Sequence, residues 1–125
     1  MSAIFIANLA ATLLLTGIAW SLQFVQLPLL RSDDVESHRR RNSALVAPLM
    51  AIETVTAALL LRDPSTAIIA AFVLWAGAAI GTAGYTMAHS RNRIDLLPRW
   101  NLVRACCWTA RSAILLSICA GGRFF

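Results

Sequence analysis

Charge is scarce in this sequence, and where it occurs it is one-sided. Charged residues make up 14% of the chain and apolar residues 58%, where soluble domains carry roughly 25% and 45–50%. That deficit excludes an ordinary water-soluble domain. Lysine is absent, so all eleven basic residues are arginine; GC-rich coding is the plainest account. Acids number only six, an imbalance that in a soluble protein points to nucleic acid. Here most arginines gather in two short connectors beside apolar segments, which is the membrane pattern, and no nucleic-acid partner is expected. Cysteine is sparse as well. Cys106, Cys107 and Cys119 all fall in the last segment, form no CxxC pair, and adjacent cysteines bridge only with strain. They read as small packing residues.

What is present is a single domain of 125 residues with four apolar segments, at about 3–30, 43–61, 66–88 and 100–120. Each is close to or above the roughly 20 residues that cross a bilayer as a helix. The expected fold is therefore all-α, a four-transmembrane-helix bundle running up-down-up-down, with the lipid bilayer as its main partner. The first segment, Ala3 to Leu30, has no formal charge. No basic residue precedes it and it is too long for a usual signal-peptide core, so it reads as a retained helix. Asn8, Thr12, Thr16, Gln23 and Gln26 fall near one face of it, and Pro28 marks where it should bend or stop.

The first connector, RSDDVESHRRRN, places Asp33, Asp34 and Glu36 before Arg39, Arg40 and Arg41. That order suits a short helix at head-group level, and the arginine triplet is placed to attract anionic lipid. In the second segment Pro48 is tolerated in the first turns, and Glu53 lies about 15 Å deep at the helical rise. The third segment carries GAAIG, Gly77 to Gly81, a small-xxx-small pattern that lets helices approach within the bundle or in a homo-oligomer. Tyr85, near its end, sits where an aromatic belt would place it.

Orientation follows from arginine position. The connectors after segments one and three hold Arg31, Arg39, Arg40, Arg41, Arg91, Arg93 and Arg99; the opposite side holds Arg62 and Arg123. Seven against two places both long connectors in the cytoplasm and both termini outside, in a cell inner membrane.

The chemistry concentrates in RWNLVRACCWTAR, Arg99 to Arg111. Asn101, Arg104, Trp108 and Arg111 share one helix face. Measured from Trp100, Arg104 is about 6 Å deep and Arg111 about 16 Å. Arg111 therefore reaches the level of Glu53, and an interior Glu53–Arg111 pair is expected. Arg104 is shallow enough to snorkel towards the interface. Two arginines against one carboxylate leave one cation unneutralised. Gln23, Gln26 and Asn101 accept hydrogen bonds from guanidinium without cancelling its charge. The polar seam therefore has two readings: a pair that fixes helix register, or a pocket completed by an anionic ligand. His38 and His89 sit in the connectors, off the buried helix faces, and lack a third ligand. Neither a metal nor another cofactor is expected.

The runs WSLQFVQLPLL, SHRRRNSALVAPLMAIE and RWNLVRACCWTAR resemble a group of small bacterial four-helix membrane proteins. The matching positions are Pro28, His38, Pro48, Glu53, Asn101, Arg104, Trp108 and Arg111. Where the group has a second connector histidine, this chain has Arg41. The resemblance implies the fold and brings no activity with it. AHSRNRI followed by WNLVR is more loosely similar to anthrone-oxygenase-like small membrane proteins, which implies a cofactor-independent oxygenase with a polar membrane pocket. Three functions remain open on the residues. One is a bundle whose seam, Glu53, Arg104 and Arg111, holds the fold or binds an amphipathic anionic ligand. The second is an enzyme on a lipid-soluble substrate, with Glu53 or His38 as acid–base group. The third is a proton-coupled small transporter using Glu53.

Overall fold

The computed structural model describes residues 3–27, 35–62 and 65–121, without the side chains of Gln26, Val35 and Glu36. Four helices account for nearly all of it: α1 (Ala3–Ser21), α2 (Val35–Leu60), α3 (Thr66–Ser90) and α4 (Leu97–Gly121). A π-helical turn, Leu22–Gln26, continues α1, and a short 3₁₀ turn, Ile94–Leu96, precedes α4. All four are long and apolar enough to cross a membrane.

Side-chain pairs along the helices give the topology. Asn8 meets Thr56 and Thr12 meets Glu53, so α1 and α2 run in opposite directions. His38 meets Tyr85 and Thr54 meets Trp75, which makes α2 and α3 antiparallel. Gly77 faces Cys107 and Gly84 faces Trp100, which does the same for α3 and α4. The bundle is up-down-up-down.

Its surface is inverted relative to a water-soluble protein. Leu14, Phe24, Leu45, Val55, Val73 and Ile80 point outwards, whereas Asn8, Thr12, Glu53, Asn101, Arg104 and Arg111 are each at most 1% exposed. In lipid this is the stable arrangement, because the apolar surroundings cannot solvate those groups and the interior can. Four apolar helices around a polar seam make this a multi-pass membrane protein.

Small residues set how closely the helices approach. Ala19, Ala78 and Ala105 are fully or almost fully buried beside Leu15 and Trp108, as expected where helices gain from close backbone packing. Of the two uses expected for Gly77 and Gly81, within the bundle or in a homo-oligomer, the structure shows the first: both face α4. A Cβ at Gly77 would lie 2.8 Å from Cys107 Sγ, and one at Gly81 2.9 Å from Arg104 Cβ. At Gly84 it would overlap the Trp100 ring. The GAAIG pattern serves the α3–α4 contact, which is the most extensive in the bundle. Helix α1 packs on both α2 and α4, while α2 and α3 touch only sparsely.

Two boundaries differ from expectation. Helix α2 begins at Val35 and not at Ser43, so His38 to Arg41 lie on a membrane helix and not in a separate head-group helix. Pro48 consequently stands mid-helix, where it cannot donate the hydrogen bond that Ala44 O would otherwise accept. Helix α4 begins at Leu97, three residues before Trp100. The preceding connector is fastened by Arg93 Nε, 3.2 Å from Asp95 Oδ1. That hydrogen bond raises the Arg93 guanidinium above its ordinary range. The expected break at Pro28 and the acids Asp33 and Asp34 lie outside the described residues.

Candidate functional site

The polar interior forms two tiers, both anchored on α4. In the tier nearer the chain termini, Arg111 Nε lies 3.6 Å from Glu53 Oε2. The expected ion pair is therefore present. Arg111 Nη1 donates to Ala71 O and Nη2 to Asn8 Oδ1. Asn8 Nδ2 donates to Thr56 Oγ1 at 2.8 Å and to Glu53 O at 3.1 Å. The Glu53 carboxylate accepts from Thr12 Oγ1 at 2.9 Å and from Trp108 Nε1 at 3.2 Å. The charge is balanced within the protein, although Arg111 Nε, facing Glu53 Oε2, makes no hydrogen bond. Such a tier fixes helix register and holds its own counter-charge.

The tier nearer the two long connectors is built differently. Asn101 Nδ2 donates to Ala19 O at 2.9 Å and to Gln23 Oε1 at 3.0 Å, and its Oδ1 accepts from Arg104 Nε at 2.9 Å. The Arg104 guanidinium carbon lies 4.1 Å from the Tyr85 ring centroid and 5.6 Å from that of Trp108, distances at which a ring face attracts a cation. Arg104 Nη2 has no hydrogen-bond partner, and no described carboxylate lies within ion-pair distance of Arg104. The residue does not snorkel. Gly81 admits the Arg104 backbone against α3, and from there its side chain is enclosed by Tyr85, Trp108 and Asn101.

Beside Arg104 a cleft of about 220 Å³ opens between α2 and α3, where those helices touch least. Arg39, Asn42, Ser43, Val46, Ala47 and Met50 line it from α2. Thr82, Tyr85, Thr86 and His89 line it from α3, and Arg104 is its only contribution from α4. Among the described residues the lining includes two arginines and no carboxylate.

Three residues here take roles that the sequence reading gave them differently. Tyr85, expected in an interfacial belt, is buried, and its hydroxyl is 2.9 Å from His38 Nε2. His38, expected in a connector, is buried on α2 with its ring stacked on His89 at 5.8 Å. His89 in turn meets Tyr85 edge-on at 4.9 Å. Among the described residues no three metal-ligating side chains converge.

Of the candidate residues, Asn101 and Trp108 lie against the Arg104 guanidinium, and Gln23 is joined to it only through Asn101. Glu53 and Arg111 belong to the charge-balanced tier, and Trp108 touches both. His38 stands behind Tyr85, and the Gln26 side chain lies outside the described residues. Asn8, Thr12, Tyr85 and His89 were not among the candidates. The polar stripe of the first segment signals Asn8 and Thr12; nothing local in the sequence signals that Tyr85 turns inwards.

No family model, curated protein or solved structure matches this chain.

Proposed function

We propose that this protein is a ligand-binding protein of the bacterial inner membrane, and that it holds the anionic group of an amphipathic molecule in the α2–α3 cleft. Arg104 is the anchor. The observation that carries this reading is a buried guanidinium with one unsatisfied nitrogen and no described carboxylate within ion-pair distance, at the wall of a cleft whose described lining is cationic and not anionic. A buried charge without counter-charge is costly, and an oxyanion in the cleft supplies both the charge and the acceptor. The arginine distribution supports cytoplasmic connectors and extracytoplasmic termini, which puts the cleft in the cytoplasmic leaflet. Arg39, Arg40 and Arg41, at that end of α2, suit anionic head groups there. The resemblance to small bacterial four-helix proteins agrees with this reading and adds no activity to it.

The test is mass spectrometry of molecules retained by protein purified in mild detergent. Wild type should carry an anionic amphiphile, and Arg104→Gln should lose it at least tenfold while keeping the wild-type fold. Equal retention by both proteins would refute the site. A second reading, an oxygenase-like enzyme on a lipid-soluble substrate, rests on one observation: the Tyr85–His38 hydrogen bond at the cleft wall. Such a pair relays a proton to a bound molecule, with Arg104 beside developing negative charge.

A further inference from the structure

The rim of the cleft indicates where its ligand comes from. The membrane span of α2 begins at Ser37 and that of α3 ends at Ser90. Counted inwards from Arg41, the last of the three arginines placed at head-group level, Ser43 is roughly 3 Å and Ala47 roughly 9 Å deeper at about 1.5 Å per residue, and Thr86 is roughly 6 Å inside the end of α3. Arg39, Ser43, Ala47 and Thr86 are the exposed residues of the described lining, whereas Val46, Tyr85 and Arg104 behind them are buried. The mouth between α2 and α3 therefore opens to head groups at Arg39 and to acyl chains at Ala47. Its walls also change character with depth. Arg39, Asn42 and His89 stand at the connector end, and Val46, Ala47 and Met50 follow towards the bilayer centre.

Size adds a limit. A volume of about 220 Å³ is below the roughly 300–1,000 Å³ of sites that enclose a drug-sized ligand. It takes a small oxyanionic head and a short stretch of chain. The remainder of any longer molecule must lie outside, along the exposed faces of α2 and α3.

We infer that the site is loaded sideways from the bilayer leaflet, and that its ligand class is a single-chain amphiphile with a small oxyanionic head. The head seats beside Arg104, and the chain leaves over Ala47 into lipid. This rests on the Arg104 reading above and goes further in naming the source. A phosphate free in water and a phosphate on an alkyl chain share the chemistry that Arg104 recognises. They differ in route, so the route is what the experiment separates.

Protein reconstituted in nanodiscs is probed with hexadecyl phosphate in the bilayer or with inorganic phosphate in the buffer, and bound probe is counted by native mass spectrometry. Wild type should bind hexadecyl phosphate with one-to-one saturation and show no binding of inorganic phosphate at the same total concentration. Ala47→Phe and, independently on the facing helix, Thr86→Phe should each lower hexadecyl phosphate binding at least tenfold. Both positions are exposed, so both variants should melt like wild type. Full binding by both rim variants, or inorganic phosphate bound as well as the alkyl ester, would overturn sideways loading while leaving the Arg104 site standing. Undiminished hexadecyl phosphate binding by Arg104→Gln would overturn the Arg104 reading, and this inference with it.

Discussion

Arg104 and Arg111 stand seven residues apart on one face of α4 and meet opposite surroundings. Arg111 has a carboxylate on α2, a carbonyl on α3 and an amide on α1, so three helices converge on one cation. Among the described residues Arg104 has a single hydrogen bond, from Nε to an asparagine on its own helix, and two aromatic rings. The two residues are equally buried. Each keeps one buried nitrogen without a hydrogen bond, so what separates them is whether the protein supplies the counter-charge. A neutralised site holds the fold, and one without its counter-charge is retained at a cost in stability, as is common where a site serves a ligand.

The sharpest way to break this contrast is to remove each arginine and measure unfolding in detergent. Arg111→Met strands Glu53 in the interior without its cation and should cost about 3–5 kcal/mol, the usual penalty for breaking a buried pair. Replacing both partners, Glu53→Leu with Arg111→Met, should recover most of that loss, because no lone charge remains. A double variant as unstable as the single one would show that the pair contributes more than mutual neutralisation. Gly81→Ala is intermediate. Its Cβ would press on Arg104 N at 3.0 Å and Cα at 3.2 Å, backbone atoms that cannot rotate away. A loss of about 1–3 kcal/mol is expected from such overpacking. Arg104→Met should have the smallest effect, within about 1 kcal/mol of wild type. It removes an uncompensated charge along with one hydrogen bond and cation–π contacts of about 0.5–2 kcal/mol. A loss as large as that of Arg111→Met would end the distinction between the two tiers.

Much of this was legible from residue order. Apolar runs of membrane-spanning length give four helices whatever the tertiary detail, because lipid offers the backbone no other partner. Glu53 and Arg111 are legible as a pair because both lie at similar depth from the same connectors, and depth along a helix is simple arithmetic. The surplus cation at Arg104 follows from counting carboxylates. What eluded the sequence belongs to other physics. The start of α2 at Val35 is invisible to hydropathy, since a helix continues through charged residues without an apolar side chain. Tyr85 looks interfacial by position; its inward turn depends on Gly81 and Gly84 drawing α4 close. His38 and His89 are 51 residues apart in the chain, and only the α2–α3 reversal stacks them.

The π turn at Leu22–Gln26 has a consequence for the site on the neighbouring helices. A π turn carries one residue more than an α-helical turn needs, so it acts as a phase slip in the side-chain rotation of the helix. Before the slip, burial recurs at Leu15, Ala19 and Leu22; after it, the next buried hydrophobic position is Leu27, five residues on, while Phe24 and Val25 face outwards. Leu27 arrives in contact with Tyr85, Ala88 and Leu97. It props the ring on which Arg104 rests. Deleting Val25 restores the α-helical phase, turns Leu27 by about 100°, and removes that prop without touching any polar residue of the cleft.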